Sequence, residues 1–533
     1  MKHIFKRFTA VILAVLIVFC SASVAFAKEE VTPVIMVPGL GSTALYKDPG
    51  TEDEKEVGFD IGSILSVDLI SNLLHIFNDA DVNFEELLNE LESAASSFSD
   101  FACDENGNSL NNVGIKNYWE DSMANHPDYL ESRPANEPAI VRQITDEIGP
   151  ENVFILNYDW RMDVCDTADK LNDLVNSVKQ QTGADKVTLV SGSLGTSVVS
   201  AYIDEYGTNS IKRSVFIDGA LQGVDVTRAY AKDLVFDADE IMNYFKEVKS
   251  VYKADGVDLG AIYSVLNLLK PQLKNACNYL NSIVDDEEKI NRIYTEVILP
   301  VIGNIPSLWE CVPYDQFDDC VKTIKDMGFL DENSGLYAKI QNYHKVQGRC
   351  RDNLKKFADN GGEVAVVANY AVPGIPVTSQ LHNETDVLID LKYTSIGATV
   401  ADHGKEVDGY GQYISADKQI DASTALFPDN TWYVKNILHM NYAYGTEANK
   451  FIAYLATSEE APTYESVKKA LGYNRFLEAD DEQNIVKSEY AIKQIDLKKS
   501  PKTGYENLYI SLALFALSAA GIYLASLKKE QTI

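Results

Sequence analysis

Ser193 stands in the run Ser191-Gly192-Ser193-Leu194-Gly195, directly after the apolar segment Lys186-Val187-Thr188-Leu189-Val190 and before the helical pattern Val198–Tyr206. A strand that feeds a helix through such a turn forces the middle residue into strained backbone angles and exposes its hydroxyl, the setting of an activated nucleophile. The residues two positions away must then be small, and Ser191 and Gly195 are, although Ser191 replaces the first glycine of G-x-S-x-G. A nucleophilic hydroxyl needs a base, and the downstream candidates are His344, His382, His403 and His439. His439 is preferred, because it closes the strand-like Trp432–Leu438 and precedes the helical Glu447–Leu455; His403, in a polar loop, comes second. The carboxylate that orients the base belongs between the strand-like Glu363–Ala368 and His439. Asp417, in Asp417-Lys418-Gln419-Ile420-Asp421-Ala422-Ser423, is the first choice, with Asp386 and Asp421 as rivals. Its task would be to hold the imidazole tautomer and stabilise the imidazolium.

Attack by such a serine on a carbonyl builds an oxyanion that needs fixed N–H donors. The backbone N–H of Leu194, next to the nucleophile, is one. The second is expected from the loop after an early strand, where Pro38-Gly39-Leu40-Gly41 lies, and the N–H of Leu40 is the candidate. No motif calls for a metal or an organic cofactor.

These groups must be carried by a particular architecture. Pro33–Val37, Val153–Leu156, Lys186–Val190, Ser214–Ile217, Glu363–Ala368 and Trp432–Val434 are short apolar runs bounded by turn signals, as expected of buried parallel strands. Helical patterns lie between them, notably Ala139–Ile148 and Thr167–Gln180, with Asp166 as expected N-cap of the second. The alternation predicts an α/β fold with a doubly wound, mostly parallel sheet. Two insertions interrupt it. Residues 55–135 hold one amphipathic helix near Asn83–Phe98, and residues 226–360 are helical nearly throughout, the pattern of a cap.

The ends are read as addresses rather than fold. Residues 1–27 have a basic start (Lys2, Lys6, Arg7), an apolar run and Ala25-Phe26-Ala27, which together make a cleavable secretory signal. Residues 504–533 carry an apolar stretch, Leu508–Leu527, followed by Lys528-Lys529, which is long enough for a membrane-spanning helix. Ser500-Pro501-Lys502-Thr503-Gly504 just before it resembles a cell-wall sorting motif, with Ser in place of the usual Leu. That resemblance implies cleavage between Thr503 and Gly504 by a sortase and attachment to peptidoglycan, with membrane contact only through the C-terminal segment before processing. Residues 459–503, richer in charge, are expected to be a spacer, leaving 28–458 as the catalytic domain.

Composition narrows the partners. The 533 residues include 79 acidic and 47 basic side chains, for a net charge of −32. Loss of Lys2, Lys6 and Arg7 with the signal takes it to −35 for residues 28–503. Such a field repels phosphates and argues against a nucleic-acid partner. Six cysteines remain (Cys103, Cys165, Cys277, Cys311, Cys320 and Cys350), with no CxxC spacing, and their redox state is left open.

Four strings in order, Val34–Leu45 (VIMVPGLGSTAL), Asn157-Tyr158-Asp159-Trp160-Arg161-Met162, the turn around Ser193, and Pro306-Ser307-Leu308-Trp309-Glu310, resemble the lecithin:cholesterol acyltransferase and lysosomal phospholipase family. The likeness spans most of residues 33–457. It implies an α/β-hydrolase core, a helical cap over an acyl chain, and cleavage or transfer of acyl groups of lipid esters. It also implies Ser193 as nucleophile, His439 as base, and Leu40 and Leu194 at the oxyanion positions. Gly192 stands where the family has a histidine, and the family's Asp-Gly around the acid is altered at Asp417. Trp160 and Arg161 read as packing residues. The competing class is an adhesin or binding module on a degenerate hydrolase scaffold, which wall display and an acidic surface would also suit.

Overall fold

The computed structural model describes residues 31–486, except 59–82, 97, 133–135, 252–258, 380–383, 403 and 481. The signal segment, the sorting motif at Thr503-Gly504, the apolar tail, His382 and His403 lie outside the described residues. No helix among the described residues is long and apolar enough to cross a membrane.

Eight strands make the main sheet: β1 (Val34–Val37), β2 (Val153–Ile155), β3 (Val187–Gly192), β4 (Ile211–Ile217), β5 (Glu363–Tyr370), β6 (Thr431–Lys435), β7 (Phe476–Ala479) and β8 (Ile485–Val486). Their order is β2-β1-β3-β4-β5-β6-β7-β8. The first seven are parallel, and only the edge strand β8 is antiparallel. Val34 pairs with both Val153 and Thr188, so the strand order reverses at β1. In sheets of this kind the crevice at the strands' carboxyl ends near the reversal is where ligands bind.

The strands read as unbroken apolar runs because both faces are covered. Val34, Met36, Val190, Val215 and Ile217 pack with Ile140, Val141 and Ile144 of helix α1 (Asn136–Ile148). Ile35, Val37, Leu189 and Phe216 point the other way, toward α2 (Val164–Thr182), α3 (Gly195–Tyr206) and α4 (Gly335–Asp359). Each fully buried aliphatic side chain contributes about 1.5–3 kcal/mol, which fixes the register of the pleat. A further helix, α5 (Glu447–Thr457), lies beside α1. The result is the doubly wound α/β-hydrolase arrangement with a large helical insertion between β4 and β5.

Three expectations change in detail. Helix α2 starts earlier than its apolar pattern indicated: Asp163, not Asp166, is its N-cap and accepts the Asp166 N–H at 2.9 Å. The described residues of 226–360 are mostly helical, but α4 is not cap. It packs along α3 and leads into β5, as the crossover helix of the sheet. Residues 459–503 are not simply a spacer, because α6 (Tyr464–Leu471), β7 and β8 extend the sheet. Val467, Leu477 and Ala479 are buried there, yet every second residue faces solvent, which dilutes the apolar signal.

The earlier insertion contributes a three-stranded antiparallel sheet (Leu45–Lys47, Lys55–Val57, Val113–Gly114) and the helix Phe84–Ser96. Arg161 ties it to the core. Its guanidinium, fully buried, donates to both carboxylate oxygens of Asp159 at 3.0 and 2.6 Å and to the carbonyls of Phe101 and Val113 at 3.2 and 2.8 Å. Trp160 leans on Phe101 with ring centroids 5.8 Å apart. Both residues are packing groups. All six cysteines are free thiols, five of them buried.

Candidate active site

The site is assembled at the carboxyl ends of β1, β3, β4, β5 and β6. Ser193, immediately after β3, has φ +51°, a left-handed conformation that costs a non-glycine residue about 1–3 kcal/mol. Its backbone is held from both sides: its N–H donates to the Ile217 carbonyl at 3.0 Å, and its carbonyl accepts the Ala220 N–H at 3.1 Å and the Thr196 hydroxyl at 2.7 Å. The need for small neighbours is met by contact with β1. A β-carbon at Gly195 would lie 2.1 Å from the Val37 carbonyl oxygen, and one at Gly39 would lie 2.7 Å from Cβ of Ser193. The loop after β1 and the serine turn are therefore in direct contact.

Neither the Leu40 nor the Leu194 N–H makes a hydrogen bond among the described residues, nor do the next amides, Gly41 and Gly195, whereas the Gly39, Ser193 and Thr196 amides are engaged. Uncommitted amides beside a serine are what a developing oxyanion would require. Tyr158 holds the loop from below by donating its hydroxyl to the Pro38 carbonyl at 2.7 Å. Glu137, at the start of α1 and buried, accepts the Gly39 N–H at 3.2 Å.

His439 lies in the turn after β6. Its Nδ1 is 2.6 Å from Oδ2 of Asp386, and its backbone N–H donates to the Asp386 carbonyl at 2.8 Å. Asp386 is itself oriented by the N–H groups of Leu388 and Ile389, at 2.9 and 2.7 Å on Oδ1. With Nδ1 turned to a carboxylate, Nε2 is the nitrogen left to accept a proton, and it has no hydrogen-bond partner among the described residues. Burial works to lower the basicity of this imidazole, but Asp386, and behind it Asp218 and Glu137, outweigh burial and raise its pKa.

The carboxylate paired with His439 is thus Asp386, not the expected Asp417. Asp417 points away, accepting the Ser415 hydroxyl at 2.6 Å and pairing with Lys435 at 2.9 Å. Burial pushes its carboxyl up, but Ser415 and Lys435 prevail and hold it below its ordinary value. Asp421 caps a turn through Ser423. His344 is stacked between Tyr314 and Phe317 and has no part in the site. The cysteines offer no rival nucleophile: burial pushes the thiol of Cys103, for example, up to about 12.

The turn carrying His439 closes on the serine turn. Met440 has φ +54°, and its methyl group would lie 2.2 Å from a β-carbon at Gly192. Met440 therefore fills the space that a side chain at position 192 would enter. Two residues that the sequence did not single out, Glu137 and Asp218, are buried here. Asp218 could have been noticed, since it directly follows the apolar run of β4; Glu137 carries no such signal. Asp218, Asp386 and His439 bring ligand atoms within 4.8 Å of one another. Each of the two carboxylates accepts N–H groups, Asp218 from Asn369 and Met440 and Asp386 from Leu388, Ile389 and His439.

No protein-family model matches the chain, and no curated protein does. Nineteen chains of solved structures match it. One is the crystal structure of the Tle4–Tli4 complex, with 11% identity over 93% of this chain and 98% of that one, and a TM-score of 0.28.

Proposed function

We propose that the protein is a serine hydrolase or acyltransferase acting on carboxylic esters, with lipid esters as its substrate class. Nε2 of His439 takes the Ser193 hydroxyl proton as Oγ bonds to the ester carbonyl carbon. The Leu40 and Leu194 N–H groups hold the resulting oxyanion. Collapse breaks the C–O bond, and His439 returns the proton to the departing alcohol. Water or an acceptor alcohol, deprotonated by the same nitrogen, then releases the acyl group and restores Ser193. Asp386 keeps the imidazole in register and stabilises its cationic form.

The observation that carries this reading is the combination of a left-handed Ser193 with a buried His439–Asp386 pair, both in loops at the carboxyl edge of one sheet. The lipid class rests on the resemblance noted in the sequence and on the helical insertion. With a net charge of −32, binding of a lipid would depend on apolar contact rather than on attraction to the protein's charge. Secretion, sortase attachment and display on a peptidoglycan surface complete the proposal, on the strength of the two terminal segments.

A fluorophosphonate probe tests it. Labelling of the purified protein that disappears in Ser193→Ala is expected. No labelling, or labelling that persists in the variant, would leave the chain as a binding module on a silent scaffold. A chain-length series of p-nitrophenyl esters should then favour long acyl groups; a preference for acetyl would remove the lipid part and leave an esterase.

A further inference from the structure

Behind the His439–Asp386 pair sits a second buried carboxylate. Asp218 follows β4 with φ +47° and is fully enclosed. Oδ1 accepts the Asn369 N–H at 2.9 Å, and Oδ2 accepts the Asn369 side-chain amide at 2.7 Å and the Met440 N–H at 2.9 Å. Asn369 in turn donates to the Leu438 carbonyl at 3.3 Å and accepts the Tyr442 hydroxyl at 2.8 Å. Asp218 and Asn369 thereby grip the turn 438–442 on both sides of His439. Three N–H donors aimed at one carboxyl group fit its ionised form.

We propose that Asp218 is a positioning residue of the catalytic machinery, whose negative charge and grip on Met440 keep His439 aligned and basic, so that turnover requires Asp218 to be ionised. The idea rests on the serine-hydrolase reading and adds a regulatory proton to it. The titratable groups that face Asp218 are Asp386, His439 and the Tyr442 phenol, with Glu137 acting on His439 from α1. Burial first, and then repulsion from Asp386, push the Asp218 carboxyl up to about 7, against the pull of His439 and the N–H donors. Protonation of Asp218 would weaken its hold on the Met440 amide and remove the charge that supports the imidazolium. Two protons, one on each group, would then shut the site as pH falls.

The test is the pH dependence of fluorophosphonate labelling of Ser193 in wild type and Asp218→Asn. Wild type should show an acid limb steeper than one proton. The variant should show a single-proton limb displaced about one unit to lower pH, with a plateau reduced about tenfold. A variant profile that superimposes on wild type after one constant scaling overturns the proposal and reduces Asp218 to a structural group. If the variant does not fold, the wild-type limb decides, and a one-proton slope overturns the proposal. A wild type that takes no label removes the hydrolase reading itself, and this inference with it, whereas a labelled wild type with an unmoved variant limb removes only the role of Asp218.

Discussion

Glu137 accepts the Gly39 N–H at 3.2 Å, so a buried carboxylate at the first turn of α1 anchors the loop that carries Leu40. The same oxygen accepts the Ser42 hydroxyl at 2.9 Å. A loop that must present an amide to a transient charge has to be rigid before the charge appears. Glu137→Ala should therefore lower kcat about tenfold with little change in KM, while Glu137→Gln, which keeps an acceptor oxygen, should lose less. Steady-state kinetics on a soluble ester checks this; equal losses in both variants would point to the charge rather than the anchor.

The choice between acids is directly measurable. Asp386→Asn should reduce kcat by about 10³–10⁴-fold, because the amide can leave the imidazole in the wrong tautomer. Asp417→Asn should remain within about threefold of wild type and cost about 1 kcal/mol in a urea titration, through the loss of its half-buried pairing with Lys435. The reverse ranking would overturn the reading of the site.

Arg161→Lys keeps the charge and loses the fork. The guanidinium reaches Asp159 and the carbonyls of Phe101 and Val113 from a fully buried position, and an ammonium cannot satisfy them together. A loss of about 3 kcal/mol in denaturant unfolding is expected, together with faster proteolysis within residues 99–114. Unchanged proteolysis would show that the insertion is held by other contacts.

Glu310 gives a stability dependence on pH. It is fully buried, its Oε2 accepts the Val164 N–H at 2.9 Å, and burial first, then the neighbouring Asp163, raise its pKa well above the ordinary 4.5. A carboxyl whose folded pKa is raised contributes stability below its unfolded pKa and loses it as pH climbs through the folded value. Glu310→Gln should accordingly gain stability relative to wild type as pH rises from 5 to 8. A difference that stays constant across that range would contradict the shift.

Much of this architecture was legible in the chain because buried parallel strands are written as contiguous apolar runs, and the serine turn has a steric grammar: Ser193 could be located from Val190 before it and Gly195 after it. His439 followed from its place past the last such run. The acid did not. Asp386 and Asp417 both fall between β5 and β6, and which loop folds back on His439 is decided by the bonds of Leu388 and Ile389 to Asp386 and by Lys435 drawing Asp417 aside. Those contacts are tertiary and leave no local pattern. Asp163 displaced Asp166 as a cap for a similar reason: the apolar period marks where a helix is buried, while its first turn is set by whichever side chain reaches the free N–H groups.

The addition of β7 and β8 to the sheet bears on the proposed display. If Thr503 is the point of attachment, the chain between the last described strand and the wall is residues 487–503, against residues 459–503 for a spacer that began after the core. At an upper limit of about 3.5 Å per residue, the greatest possible reach falls from roughly 160 Å to roughly 60 Å. Under the proposed function, a protein so attached would sweep a thin shell just above its point of attachment, and would meet its substrates there rather than far out in the medium.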